Sequence, residues 1–310
     1  MDVGHVYGSL YRSYFNFEEF SKRKRLYIFT PIATIFIGTA LVWFDPTVRT
    51  LLILTAWIAV WHFVRQQVGF ALLYGSRDQP HSKAESRVSR WFDKAIVWSV
   101  TGFPLLDWWT RQSSMNFSWF IENEFPELPP ELFPGLWNVF WIIVTVYVCY
   151  QLFGNVFLKK RVNPLKYLYI LGTAFIWFNG IVWHDSLLVF GLGNVLLHGL
   201  NYHGIVFLST KNKMATDGYP TWKWMKILIG KGFLAMSAVL FAFAYAEEFL
   251  WNELVWKEHA WLYGSFLTPW ADRLPALAFA VIVGFLTMPQ LTHYILDGFV
   301  WKKDADTGIK

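Results

Sequence analysis

Eight apolar runs divide this chain, and no other feature limits its fold as strongly. They fall at about 26–44, 48–74, 91–109, 135–158, 165–183, 187–209, 225–250 and 274–301. A helix needs about 20 mostly apolar residues to cross the hydrocarbon of a bilayer, and each run comes close to that or exceeds it. In lipid, only helices and closed barrels satisfy every backbone N–H and C=O. These runs lack the alternation of barrel strands. The expected fold class is therefore all-α: a polytopic integral membrane helical bundle of about eight transmembrane helices.

Charge placement orients the bundle. Basic clusters lie at Lys22-Arg23-Lys24-Arg25, in the loop carrying Arg77, Lys83, Arg87 and Arg90, and at Lys159-Lys160-Arg161. Further clusters are Lys211, Lys213, Lys223 and Lys226, and Lys302-Lys303. The intervening loops are poor in Lys and Arg, and the one at 111–133 is acidic, with Glu122, Glu124, Glu127 and Glu131. Lys and Arg concentrate on the cytoplasmic side, so both termini are expected in the cytoplasm. The chain then divides into an aromatic and basic cytoplasmic arm (1–25), a transmembrane helical domain (26–301) and a cytoplasmic tail (302–310). The arm is expected to lie along the membrane interface or to be loosely ordered. The net charge of +5 sits in these short clusters, so the expected partner is the bilayer and not nucleic acid. The lone Cys149 excludes an intrachain disulfide and a thiolate metal cluster. A multi-pass protein of a bacterial inner membrane fits these features.

The sixth run, LLVFGLGNVLLHGLNYHGIVFLS, carries Asn194, His198, Asn201 and His203. Polar and ionisable side chains at membrane depth are costly and mark function by default. At a rise of 1.5 Å per residue, His62 falls roughly 18 Å from the cytoplasmic end of its run and His198 roughly 16 Å. His293 falls at roughly 12 Å, His203 at roughly 9 Å and Asp297 at roughly 6 Å. Arg65, Gln66, Asn201 and Gln290 occupy the same slab. Runs two, six and eight thus bring ionisable groups to the cytoplasmic half, which predicts a site shared by three helices. His293 and Asp297, at i and i+4, share a helix face. They can bind one metal, or Asp297 can fix the His293 tautomer. His198 and His203, five residues apart, reach one site only if their helix is distorted. Asp107, His184, Asp185, Glu247, Glu248 and His259 lie at run ends and read as a solvated rim.

Neutral imidazole suits iron, zinc or copper, and an added carboxylate leans toward non-haem iron or zinc. The expected metal ligands are His62, His198, His203, His293 and Asp297. Arg65 and Asn201 are expected to serve the chemistry, Arg65 by pairing with Asp297 or by holding a substrate carboxylate or phosphate. No HExxH pair and no HxxxH or HxxHH desaturase box occurs.

In size, eight runs and sparse intramembrane histidines, the chain resembles the Brp/Blh-like bacterial carotene dioxygenases. The resemblance is one of architecture, with no shared motif. The last run, with His293-Tyr294, Asp297 and Trp301-Lys302, also resembles polytopic bacterial membrane proteins of no assigned activity.

The expected function is a membrane-embedded metal-dependent oxidoreductase or oxygenase. It would use non-haem iron, with zinc or copper as alternatives, on a hydrophobic or amphiphilic small molecule, with an electron donor as partner. The alternative is a transporter or proton-coupled carrier that uses the His, Asp and Arg groups as a relay. A haem protein with two axial histidines is a third reading.

Overall fold

The computed structural model describes residues 2–78, 82–118, 121, 124–157, 162–215 and 221–301. The basic run 159–161, Glu122 of the acidic loop and the tail 302–310 lie outside the described residues. The described chain is helical, with no strand among its residues. Six helices are long and apolar enough to cross a membrane: Lys24–Phe44, Arg49–Gly75, Pro130–Val156, Pro164–Trp183, Phe233–Trp256 and Ala276–Val300. The third and sixth apolar runs of the sequence are not among them. The third lies in a 29-residue helix, Lys83–Arg111, whose first turns are charged. The sixth is broken into two α-helices by a π-helical stretch.

The chain forms two compact units, Met1–Thr55 with Gly199–Lys310, and Ala56–His198. It passes from the first to the second within one helix and returns within the π-helical stretch at 195–200.

Unit 1 contains α1 (Asp2–Arg12), α2 (Phe17–Lys22), α3 (Lys24–Phe44) and the first turns of α4 (Arg49–Gly75). Asp45 opens α4. Its Oδ2 accepts hydrogen bonds from the Thr50 backbone N–H at 2.8 Å and hydroxyl at 2.7 Å, and its Oδ1 accepts from Thr47. After the excursion through unit 2 come α9 (Asn201–Met214), α10 (Lys223–Gly230), α11 (Phe233–Trp251), α12 (Ala260–Tyr263), α13 (Thr268–Ala271) and α14 (Ala276–Val300). The helices α3 and α14 run antiparallel along most of their length. Small residues make this possible. A Cβ on Gly38 would lie 3.0 Å from the Gly284 Cα, and one on Gly284 would lie 2.8 Å from the Ile35 carbonyl oxygen. Close backbone approach through small residues is how helices associate where lipid removes the hydrophobic drive. The hydroxyls of Thr34 and Thr292 lie 3.2 Å apart across the same seam.

The N-terminal stretch differs from its expectation. It folds as α1, packs against α9, α11 and α14, and buries His5, Val6, Tyr11 and Arg12. Gly4 and Gly8 give α1 a flat side. A Cβ at Gly8 would meet the Tyr202 ring at 3.1 Å, and one at Gly4 would meet the His203 ring at 3.6 Å.

Unit 2 contains the rest of α4, α5 (Lys83–Arg111), α6 (Phe133–Val156), α7 (Pro164–Trp177) with a π-helical extension Phe178–Trp183, and α8 (Leu187–Asn194). Side-chain caps start these helices: Ser82 for α5, Asn163 followed by Pro164 for α7, and Ser186 for α8. Each supplies an acceptor for an N–H that has no partner within its helix. Helix α5 packs on α6 and α7, with Phe103, Trp137, Phe140 and Phe178 stacked between them. The π-helical extension doubles back into α8 at Gly180, where an added Cβ would lie 2.5 Å from the Phe190 Cα.

Candidate functional site

Unit 1 assembles its polar interior around α1. The His5 ring stands between Tyr202 of α9 and His293 of α14, with ring centroids 5.5 and 4.7 Å away, both edge-on. Tyr202 and His293 lie 5.6 Å apart, closing a triangle of three rings. One ring nitrogen of His5 and one of His293 approach within 4.8 Å. Both imidazoles are buried, as is Tyr202.

Asp297 sits one turn beyond His293 on α14. Its Oδ1 accepts from the Tyr202 hydroxyl at 2.9 Å and from the Trp301 indole N–H at 2.8 Å. Asp297 therefore anchors the phenol whose ring touches both imidazoles. The Arg12 guanidinium lies 5.0 Å from the Trp301 ring, and its Nη1 donates to the Ser209 hydroxyl at 2.7 Å. Both Arg12 and Ser209 are buried. Helix α1 thus contributes an imidazole and a guanidinium to an interior otherwise built by α9 and α14. His203, the imidazole of α9, is fully buried beside Gly4.

Glu247 corrects the solvated-rim reading. It is buried on α11, and its Oε2 accepts from the Tyr7 hydroxyl of α1 at 2.6 Å. Burying a carboxyl is tolerated where a donor meets it, and Tyr7, in the N-terminal segment, supplies that donor. Asp107, in unit 2, corrects the same reading: it is buried and bonded by Arg111 one turn later, with Nε at 3.0 Å. His184 and His259 are exposed, as expected of rim residues.

Unit 2 holds the second imidazole pair. His62 of α4 and His198 of the π-helical stretch have ring centroids 5.9 Å apart at an interplanar angle of 81°. Phe63 packs on His198 at 4.4 Å. Both histidines are buried, and Gln66 is buried one turn along from His62. The helix distortion anticipated between His198 and His203 is present as the π-helical turn Val195–Leu200. Single π turns inside α-helices recur at functional sites. Asn194 is buried beside this turn, Asn201 is half-buried and Arg65 is exposed.

Unit 2 also holds a charge network in which Asp93 of α5 and Lys166 in the first turn of α7 are buried and Asp78, just after α4, is half-buried. The Lys166 ammonium lies 2.6 Å from Asp78 Oδ2 and 3.3 Å from Asp93 Oδ2. The Tyr147 hydroxyl donates to Asp93 Oδ1 at 3.2 Å, and Asn163 donates to Asp78 at 2.8 Å. None of these residues stands out in the sequence, because each is a single polar residue far along the chain from its partners.

Metal–nitrogen bonds of about 2.1 Å hold two imidazole nitrogens no more than about 4.2 Å apart, and those of His5 and His293, within 4.8 Å of each other, lie close to that reach. His5 was not among the residues singled out by the sequence, since it lies outside every apolar run. The signal that marks it is the Gly4/Gly8 spacing, which turns a Tyr- and His-bearing segment into a packing helix.

No protein-family model, curated protein or solved structure matches this chain.

Proposed function

We propose that this chain is a membrane-embedded, metal-dependent oxidoreductase or oxygenase that holds non-haem iron and acts on a lipid-soluble substrate. One observation carries the reading: two buried imidazoles, His5 and His293, present ring nitrogens within 4.8 Å of each other. The residues around them supply what a metal centre requires. Tyr202, tethered by Asp297, packs edge-on against both rings. Two donors alone do not hold a resident metal. The further donors are taken from His203 and Asp297, which belong to the same unit as His5 and His293. A set of imidazoles with a carboxylate suits non-haem iron, and zinc or copper would use the same donors. When bound, the metal supplies the redox or Lewis-acid chemistry. The chain's own residues orient it, keep water away and present an apolar surface to a hydrophobic or amphiphilic substrate. Asn201, half-buried on α9, is proposed to act on that substrate's polar end, and a separate electron donor completes the reaction.

The topology that goes with this reading has eight spans, both termini in the cytoplasm and a bacterial inner membrane as its location. Helix α5 and the broken helix 187–214 complete the count. The test is elemental analysis of the detergent-purified chain. The expected result is about one iron per chain, lost in His5→Ala and His293→Ala. Metal-free protein, or full metal content in both variants, overturns the reading.

One observation favours the carrier alternative: the Asp93–Lys166 pair, buried and joined by the half-buried Asp78, since charges inside a membrane domain also mark proton and ion pathways. Metal-independent solute flux into liposomes, abolished in Asp93→Asn, would select it.

A further inference from the structure

One end of unit 1 gathers cations and exposed aromatic side chains. Arg23 at the start of α3 donates to the Phe299 carbonyl at the end of α14, at 2.9 Å. Helix α10 packs on α9 and α11 and leads directly into α11. The α1–α2 turn is tied to the segment before α10. Thr221 donates to the Phe15 carbonyl at 2.8 Å, Phe15 packs on Trp224 at 5.0 Å and Phe17 on Trp222 at 5.1 Å.

Helix α10 has two unlike faces. Met225 and Ile229 are buried. Lys223, Trp224, Lys226 and Ile227 point away, with Trp224 45% and Ile227 62% exposed, and Trp222 just before them is 51% exposed. Acids at this end of the unit are already engaged. Glu18 pairs with Lys22, Glu19 with Arg23, and Asp297 is held by Tyr202 and Trp301. Lys24, Arg25, Lys223, Lys226 and Lys231 are exposed and meet no carboxylate among the described residues.

A short helix that buries one face and presents Trp, Ile and Lys on the other, next to a membrane-length helix, has interfacial chemistry. Indole rings settle at headgroup depth, and lysines reach the phosphates of anionic lipids. A solvated surface would explain the lysines but not the large apolar side chains between them.

We propose that α10, with the start of α3, is a binding surface for anionic phospholipid headgroups. Lys223 and Lys226 contact the phosphate, and Trp222, Trp224 and Ile227 insert beside the acyl chains. This rests on the membrane reading of the chain and not on the metal.

The experiment uses the full-length purified chain in phosphatidylcholine nanodiscs with and without phosphatidylglycerol. Retained lipid is counted by native mass spectrometry, and unfolding is followed by temperature. Phosphatidylglycerol is expected to be retained and to raise the unfolding midpoint. Lys223→Gln with Lys226→Gln should weaken retention by roughly fivefold per lysine, while the corresponding arginine variants keep it. Equal retention in the glutamine variants, no preference for phosphatidylglycerol, or displacement by inorganic phosphate overturns the proposal. An alkaline wash of native membranes separates the two failures. Release of the chain sinks the membrane reading itself. A chain that resists the wash but shows no lipid preference sinks only the lipid surface.

Discussion

Lys166 shows how single side chains carry this architecture. Its ammonium is enclosed with Asp93, and Asp78 and Tyr147 complete the set. The pair's net contribution relative to an apolar pair is small, because desolvation offsets the attraction. Removing one partner is different, since it strands a buried charge. Lys166→Met should destabilise the protein by about 3–5 kcal/mol, and adding Asp93→Asn should recover part of that loss. Thermal unfolding in detergent reads both. A Lys166→Met midpoint equal to wild type would mean that Asp93 finds another partner or water. Glu247 likewise takes a donor from far along the chain, the phenol of Tyr7 240 residues earlier.

At the scale of elements, close helix approach does what hydrophobic contrast cannot do in lipid. Gly284→Ala would press a methyl to 2.8 Å from the Ile35 carbonyl oxygen and the Thr39 nitrogen. Overpacking of this kind costs about 1–3 kcal/mol. Gly298, on the same helix, has no atom within 4 Å of where a Cβ would sit, so Gly298→Ala should be neutral or stabilising. Unfolding of the two variants side by side checks this, and equal midpoints would contradict it. Helix starts follow simpler chemistry. The Thr47 hydroxyl, then the Thr50 backbone N–H and hydroxyl, hold the Asp45 carboxyl well below the usual aspartate pKa. A depressed folded pKa means that the cap's contribution is complete above the unfolded value near 4. It is then lost as pH falls through the lower folded value. Hydrogen exchange should show a protected Thr50 amide near neutral pH, with protection lost in Asp45→Ala and in acid. Unchanged protection in Asp45→Ala would remove the cap from the account.

For the whole molecule, the sequence reading was strongest where one physical signal dominates. Apolar length points to the six membrane-length helices, because hydrocarbon leaves the backbone few other solutions, but the run at 225–250 merges the separate α10 with a span that begins only at Phe233, after the positive-φ Gly232. It is weakest at α1, whose Tyr, His, Ser and Arg look like a surface segment until α9, α11 and α14 supply partners 190 to 290 positions away in the chain. The π-helical turn at 195–200 was anticipated only as an unspecified distortion. No propensity encodes π geometry, and packing creates it. Around the candidate site, the placement of His293 and Asp297 one turn apart on a single helix was legible from their spacing. The bonds from Tyr202 and Trp301 to Asp297 were not, since they depend on how α9 and α14 face each other. His5 was missed for the same reason as α1. The central claim is that His5 and His293 share a metal ion. X-ray absorption at the metal edge of the purified chain addresses it most directly. The account predicts imidazole scattering from the bound metal, reduced by one ring in His5→Ala and by one in His293→Ala. A metal spectrum without imidazole, or one unchanged in both variants, would contradict it.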